Sequence, residues 1–158
     1  MKKFSAFTLI EVLLSLSLLA TLLFFTLPFE SSLHQKNQVQ VIQHDIQSAI
    51  RYAKTQALTR GENILLMPLR GSTDWSSGML LLVDNAKHRF SSENQLIHEW
   101  QWTPSRVEVS WRGFQSKHYL LFSPDLSQNS VNGSFLINYG SKHAIKLSIN
   151  KLGRVRVN

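Results

Sequence analysis

An apolar run near the N-terminus constrains this chain more than any other feature. "MKKFSAFTLIEVLLSLSLLATLLFFTLPFE" puts Lys2 and Lys3 ahead of a stretch from Phe7 to Leu27 in which Glu11 is the single charged residue. As a helix, that stretch spans about 31 Å at ~1.5 Å per residue, close to the thickness of a bilayer's hydrocarbon core. The expectation is a transmembrane segment with a cytoplasmic N-terminus, because lysines on the short flank stay on the cytoplasmic side. A secretory signal carries its small residues after the apolar core. Here Ser5 and Ala6 precede it, so a cut at that point keeps the helix on the mature chain. A carboxylate inside such a segment costs roughly 2.5–3.5 kcal/mol and calls for a partner. Cleavage after Ala6 would supply one in the new amine of Phe7, one helical turn from Glu11; a neighbouring subunit's amine would serve equally.

"AFTLIEVLLSLSLLA" resembles the class III signal of type IV pilins and type II secretion pseudopilins: a small residue, then Phe-Thr-Leu-Ile-Glu. The resemblance implies that prepilin peptidase cuts between Ala6 and Phe7 and methylates the Phe7 amine. It makes Glu11 the assembly glutamate and Pro28 the proline that kinks a long helix. The chain departs from the pattern in carrying Ala6 where glycine is usual. The expected organisation is a leader at 1–6, a transmembrane and assembly helix at 7–29, and a globular domain at 30–158. The expected location is the inner membrane, single-pass, with that domain periplasmic, or extracellular once in a fibre.

Beyond "LPFE", Val39, Ile42, Ile46, Ala49, Ile50, Ala53 and Ala57 recur at spacings of three and four, the stripe of a helix lying on something apolar. Gly61 stops that helix. Eight β-rich runs follow, at 63–69, 78–84, 95–102, 106–112, 117–122, 134–139, 143–149 and 153–157, divided by turn-rich segments such as "SPDLSQNSVNG" and "NKLG". The fold class is therefore α+β, pilin-like: a long N-terminal helix, half transmembrane and half amphipathic, packed on antiparallel sheet. "DWSSGMLLLVD", "FSPDLSQNSVNGSF" and the terminal "GRVRV" together resemble the GspH/FimT family, and within it the FimT-like minor pilins.

Chemistry is sparse. Cysteine is absent, the six histidines are scattered without metal-ligand spacing, and no nucleophile or phosphate-loop motif occurs. Asp74, Asp84 and Asp125 lie in or beside turns, where capping their own backbone is the ordinary role. The reading is no enzyme, no cofactor and no metal site. Trp75, Trp100, Trp102 and Trp111 are read as core or sheet-face residues ahead of stacking platforms.

Charge is uneven: residues 101–158 hold eight Lys/Arg against Glu108 and Asp125, whereas 7–100 are close to neutral. In a final strand, Arg154 and Arg156 project to one face while Val155 and Val157 face the other. A tight turn at "NKLG" would bring Lys146 onto the arginine face, with Lys151 in the turn, Lys142 just before the strand, and Arg112 or Lys117 extending the patch. "GRVR" matches the Gly-Arg-x-Arg motif of the FimT-like proteins, which implies sequence-independent DNA binding for uptake in transformation. Arg154 and Arg156 then become the contacts and Gly153 the residue that presents them. The alternatives are a GspH-like minor pseudopilin of a type II secretion system, whose arginines meet protein, and a priming subunit with no ligand. Expected partners are DNA, other pilin subunits through the helix, prepilin peptidase and the inner membrane.

Overall fold

The computed structural model describes residues 8–69, 74–85, 87–91, 94–102, 107–139 and 143–158, without the side chains of 24–36 and 143. Ala6, Phe7 and Lys142 lie outside it, as does the side chain of Pro28. Its residues fall into two units, Met1–Asn37 and Gln38–Asn158.

The first unit is helical from Leu9, the start of α1 (Leu9–Arg60). Thr8 and Glu11 begin it in the manner of a capping box. The Glu11 carboxylate accepts from the Thr8 backbone N–H and from its hydroxyl, both at 3.3 Å, which satisfies a donor the helix leaves orphaned. The side chains that follow are large, apolar and exposed, from Leu9 at 82% and Ile10 at 68% to Leu22 and Leu23.

No helix among the described residues is long and apolar enough to cross a membrane. This overturns the transmembrane half of α1 and, with it, the single-pass inner-membrane placement. The stretch of α1 whose exposed apolar side chains are described is Leu9–Leu23. It carries Glu11 and the hydroxyls of Ser15, Ser17 and Thr21, which donate back to carbonyls one turn earlier. From Gln38 onward, polar residues share the helix surface with the apolar stripe.

In the second unit that stripe is buried residue for residue: Val39, Ile42, Ile46, Ala49, Ile50, Ala53 and Ala57 are all within 4% of full burial. Gly61 ends the helix in the left-handed region (φ 68) and donates to Ala57 O, the usual stop for a residue without a Cβ penalty.

All eight expected strands form, as two antiparallel sheets. The first has the order β3 (Leu96–Gln101), β2 (Gly78–Val83), β1 (Ile64–Pro68), β5 (Leu120–Phe122). The second has the order β4 (Val107–Gly113), β6 (Gly133–Tyr139), β7 (His143–Ile149), β8 (Val155–Val157). Chain order and sheet order part company at β5, which leaves β4 to pair with β1 before β6 returns to pair with β4.

Burial separates the sheets as their sequences do. "ILLMP" and "GMLLLV" are apolar without alternation and are covered on both faces. Ile64, Leu66, Met79 and Leu81 join the helix-side core, while Leu65, Leu80 and Leu82 form a smaller cluster with Phe90 and Tyr119 on the far side. "VEVSWRG" alternates strictly, with Val107, Val109 and Trp111 buried and Glu108, Ser110 and Arg112 exposed. One face of the second sheet therefore packs on the core and the other is open. Trp75 and Trp111 are core residues, and Trp102 is half-buried with its indole N–H donating to Asp45 Oδ2 at 3.0 Å.

Candidate functional site: the open face of the second sheet

The last hairpin places the basic residues. Asn150 O accepts from Gly153 N at 2.9 Å and Asn150 N donates to Arg154 O at 3.1 Å, closing the turn through Lys151 and Leu152. The Asn150 carboxamide oxygen also accepts from the backbone N–H of Leu152 and of Arg154. Gly153 sits at φ 74, a conformation that costs a residue with a Cβ about 1–2 kcal/mol. Space is not what excludes a side chain there, since the first heavy atom a Cβ would meet is Lys54 Cδ at 3.8 Å. Gly153→Ala should lower the melting temperature by about 3–8 °C, and Gly153→Asn by less, because asparagine tolerates left-handed backbone. Differential scanning calorimetry of the two variants checks the order.

Register decides the face. β7 and β8 pair Ser148 with Arg156 and Ile149 with Val155, and Lys146 exchanges backbone hydrogen bonds with Asn158. Lys146, Arg154 and Arg156 therefore share one face, as the alternation implied, and all three are exposed. The pairing continues through Ser134 to Arg112. The row Arg112–Ser134–Ser148–Arg156 thus spans the sheet with an arginine at each end, their backbones about 14 Å apart at ~4.8 Å per strand. Lys151 is exposed in the turn and Lys117 is exposed in the loop after β4; neither is a strand residue of that face. Glu108 stands on the same face of β4 as Arg112.

The hairpin is braced from behind by residues that carry no local signature of that role. Lys54 of α1 donates to Leu152 O at 3.0 Å. Asn129, buried, donates to Lys151 O at 3.3 Å while its oxygen accepts from Ser123 N at 2.7 Å. The short 3-10 turn Leu126–Gln128 just ahead of Asn129 is capped by Asp125. The backbone N–H and hydroxyl of Ser127 hold the Asp125 carboxyl below the ordinary carboxylate range. Asp74 caps the turn Trp75–Ser77 in the same way. Asp84 does not cap: it is nearly fully buried, with Oδ2 2.7 Å from His88 Nδ1. Its spacing of four from His88, across a turn, was the available signal. No group of three or more His, Cys, Asp or Glu placed to hold a metal ion occurs among the described residues.

A long N-terminal helix whose later turns lie on antiparallel sheet is the architecture of a pilin-like protein. A family model described as "Type II transport protein GspH" matches residues 43–153. That is well over half of the chain, and the chain belongs to that family. Two crystal structures of the type IV minor pilin FimU of Pseudomonas aeruginosa PAO1, in space groups P21 and P65, share the fold. Their TM-scores are 0.61 and 0.57, each at 16% identity. They cover 78% and 75% of this chain and 90% and 91% of FimU. A search of curated proteins returned no match.

The family that matches is a non-catalytic one, and the chain is not an enzyme. The matches also correct the narrower expectation. The family is GspH and the structural likeness is to FimU, not specifically to FimT-like pilins, and neither supports the DNA-binding and competence reading. The basic excess is dispersed over strands, a turn and a loop, with serines between the guanidiniums and Glu108 on the same face.

Proposed function

We propose that the chain is a minor pseudopilin of the GspH kind, a subunit that assembles with other pilin-type subunits and presents the open face of its second sheet to one of them. The observation that carries this reading is the run of exposed apolar side chains from Leu9 to Leu23. A predominantly apolar surface of that length does not persist in water, and on this reading neighbouring helices cover it. The same reading makes residues 1–6 a leader removed by prepilin peptidase between Ala6 and Phe7. It makes Glu11 the carboxylate that pairs with the Phe7 amine of a neighbouring subunit, trading its Thr8 contacts for an ion pair. Arg154, Arg156 and Lys146 then meet acidic groups of a partner protein, with Gly153 and Lys151 shaping the hairpin and Lys142 adding charge.

Incorporation into sheared fibres, measured by quantitative immunoblot with the other subunits co-expressed, tests the proposal. Glu11→Ala should reduce recovery in the fibre fraction at least about tenfold, the scale of a 1.4 kcal/mol loss per contact, at unchanged cellular level. Thr8→Ala, which removes the capping hydroxyl and keeps the carboxylate, should leave it within about twofold. Wild-type recovery of the Glu11 variant, or absence of the native chain from the fibre fraction, would overturn the reading.

A further inference from the structure

A second feature lies on the other sheet, on its far side from α1. The small cluster of Leu65, Leu80 and Leu82 is roofed by Phe90 and Tyr119. Beside that roof opens a cavity of about 460 Å³ with an apolar floor of Met67, Phe90 and Tyr119. Its remaining described lining residues are Lys87, His88, Arg89 and His118, none of them a carboxylate. Among the described residues neither Lys87 nor Arg89 has an acidic partner.

The rim is built, not incidental. The Asn85 carboxamide oxygen accepts from the backbone N–H of Lys87 at 3.1 Å and of Arg89 at 3.3 Å, and its amide donates to Arg89 O at 2.8 Å. Asn94 ties the same turn to β2, donating to Val83 O at 2.9 Å and accepting from Asn85 at 3.0 Å. His88 takes a left-handed backbone, φ 49, unusual for a residue with a side chain. Its ring is fixed between Asp84 Oδ2 at 2.7 Å and Tyr119, with ring centroids 5.5 Å apart. The carboxylate of Asp84 stands behind that ring, with Oδ1 buried and without a hydrogen-bond partner. Lys87 and Arg89 stand on one rim without an acidic partner among the described residues, and the floor beside them is apolar and aromatic.

We propose that this cavity binds a small organic anion: a phosphate or carboxylate held by Lys87, Arg89 and His118, carried on an apolar or aromatic body that rests on Met67, Phe90 and Tyr119. The volume lies within the range of small-molecule sites, roughly 300–1,000 Å³. The guanidinium fork of Arg89 matches two oxygens of either anion.

Titration of the full-length chain in detergent with phenyl phosphate, followed by the ring-proton NMR signals of His88 and His118, tests the site. Saturable shifts are expected with a Kd below about 1 mM. Inorganic phosphate, which lacks the body, and benzyl alcohol, which lacks the charge, should each bind at least about tenfold more weakly. The pair Lys87→Gln and Arg89→Gln should lose about tenfold or more, while Lys151→Gln with Arg154→Gln, equal in charge removed, should leave the affinity unchanged. Circular dichroism shows that each variant is folded. Equal binding of inorganic and phenyl phosphate would mean ion pairing at a basic surface only. That result, absence of saturation, or full binding by the Lys87/Arg89 variant would each overturn the proposal.

Discussion

Phe135→Ala should remove about 3–5 kcal/mol of stability, the usual range for an aromatic side chain deleted from a packed core. Phe135 is fully buried at the middle of β6. It pairs across the ladders with Trp111 of β4 and Leu147 of β7. Its ring lies edge-on to Trp75 with centroids 5.0 Å apart, and 4.7 Å from Trp111. Each such aromatic pair is worth about 0.5–1.5 kcal/mol beyond the area it buries. The space left behind cannot close easily. Trp111 is held by its indole N–H donating to Ser116 O at 2.9 Å, and its ring lies over Gly113 and Gly133, where a Cβ would come within 2.5 Å of it. The melting temperature should fall by about 10–20 °C, read by circular dichroism on the full-length chain. A fall under about 3 °C would mean that the second sheet does not close over the core as described.

Asn129→Ala should cost about 2–4 kcal/mol and act on one place. The residue is 3% exposed and satisfies two backbone groups, the N–H of Ser123 and the carbonyl of Lys151. Each buried group left without a partner costs about 1–3 kcal/mol. Because the second of them belongs to the hairpin turn, the loss should appear in amide exchange as faster exchange at Ser123 and at Leu152 and Gly153, with the β4–β6 ladder little changed. Asn129→Asp keeps an acceptor for Ser123 and loses the donor to Lys151. Its Ser123 amide should stay protected while the turn loosens. Uniform acceleration across both sheets would show that Asn129 supports the whole fold and not the hairpin. This outcome bears on function, since the turn sets where Arg154 and Arg156 stand.

The Asn129 brace could not be read from the chain. It joins positions 123, 129 and 151, brought together only by the return of β5 to the first sheet. An asparagine in "DLSQNSVNG" reads simply as a turn residue. The Thr8–Glu11 pair was the opposite case. The three-residue spacing that marks a capping box was present, but the apolar run directed the reading of Glu11 toward a charged partner. Asp84 and His88 were four apart and still passed unnoticed, because a turn and not a helix brings them together.

The chain by itself determined what depends on local period. The 3.6-residue stripe from Val39 to Ala57 fixed which side of α1 is buried. The two-residue alternation in β4, β7 and β8, with a turn at "NKLG", fixed that Lys146, Arg154 and Arg156 share a face. These follow from backbone geometry whatever the neighbours are. Tertiary structure alone decided that eight strands divide into two sheets, that β5 leaves its sequence neighbours, and that a basic turn closes over a small second core. Strand pairing exchanges the same backbone hydrogen bonds with any adjacent strand, so the choice among partners falls to non-local burial against one shared helix. The apolar N-terminal run shows the same limit: its composition demands a cover, but whether lipid or other helices supply it depends on length, interruptions and partners beyond the run itself.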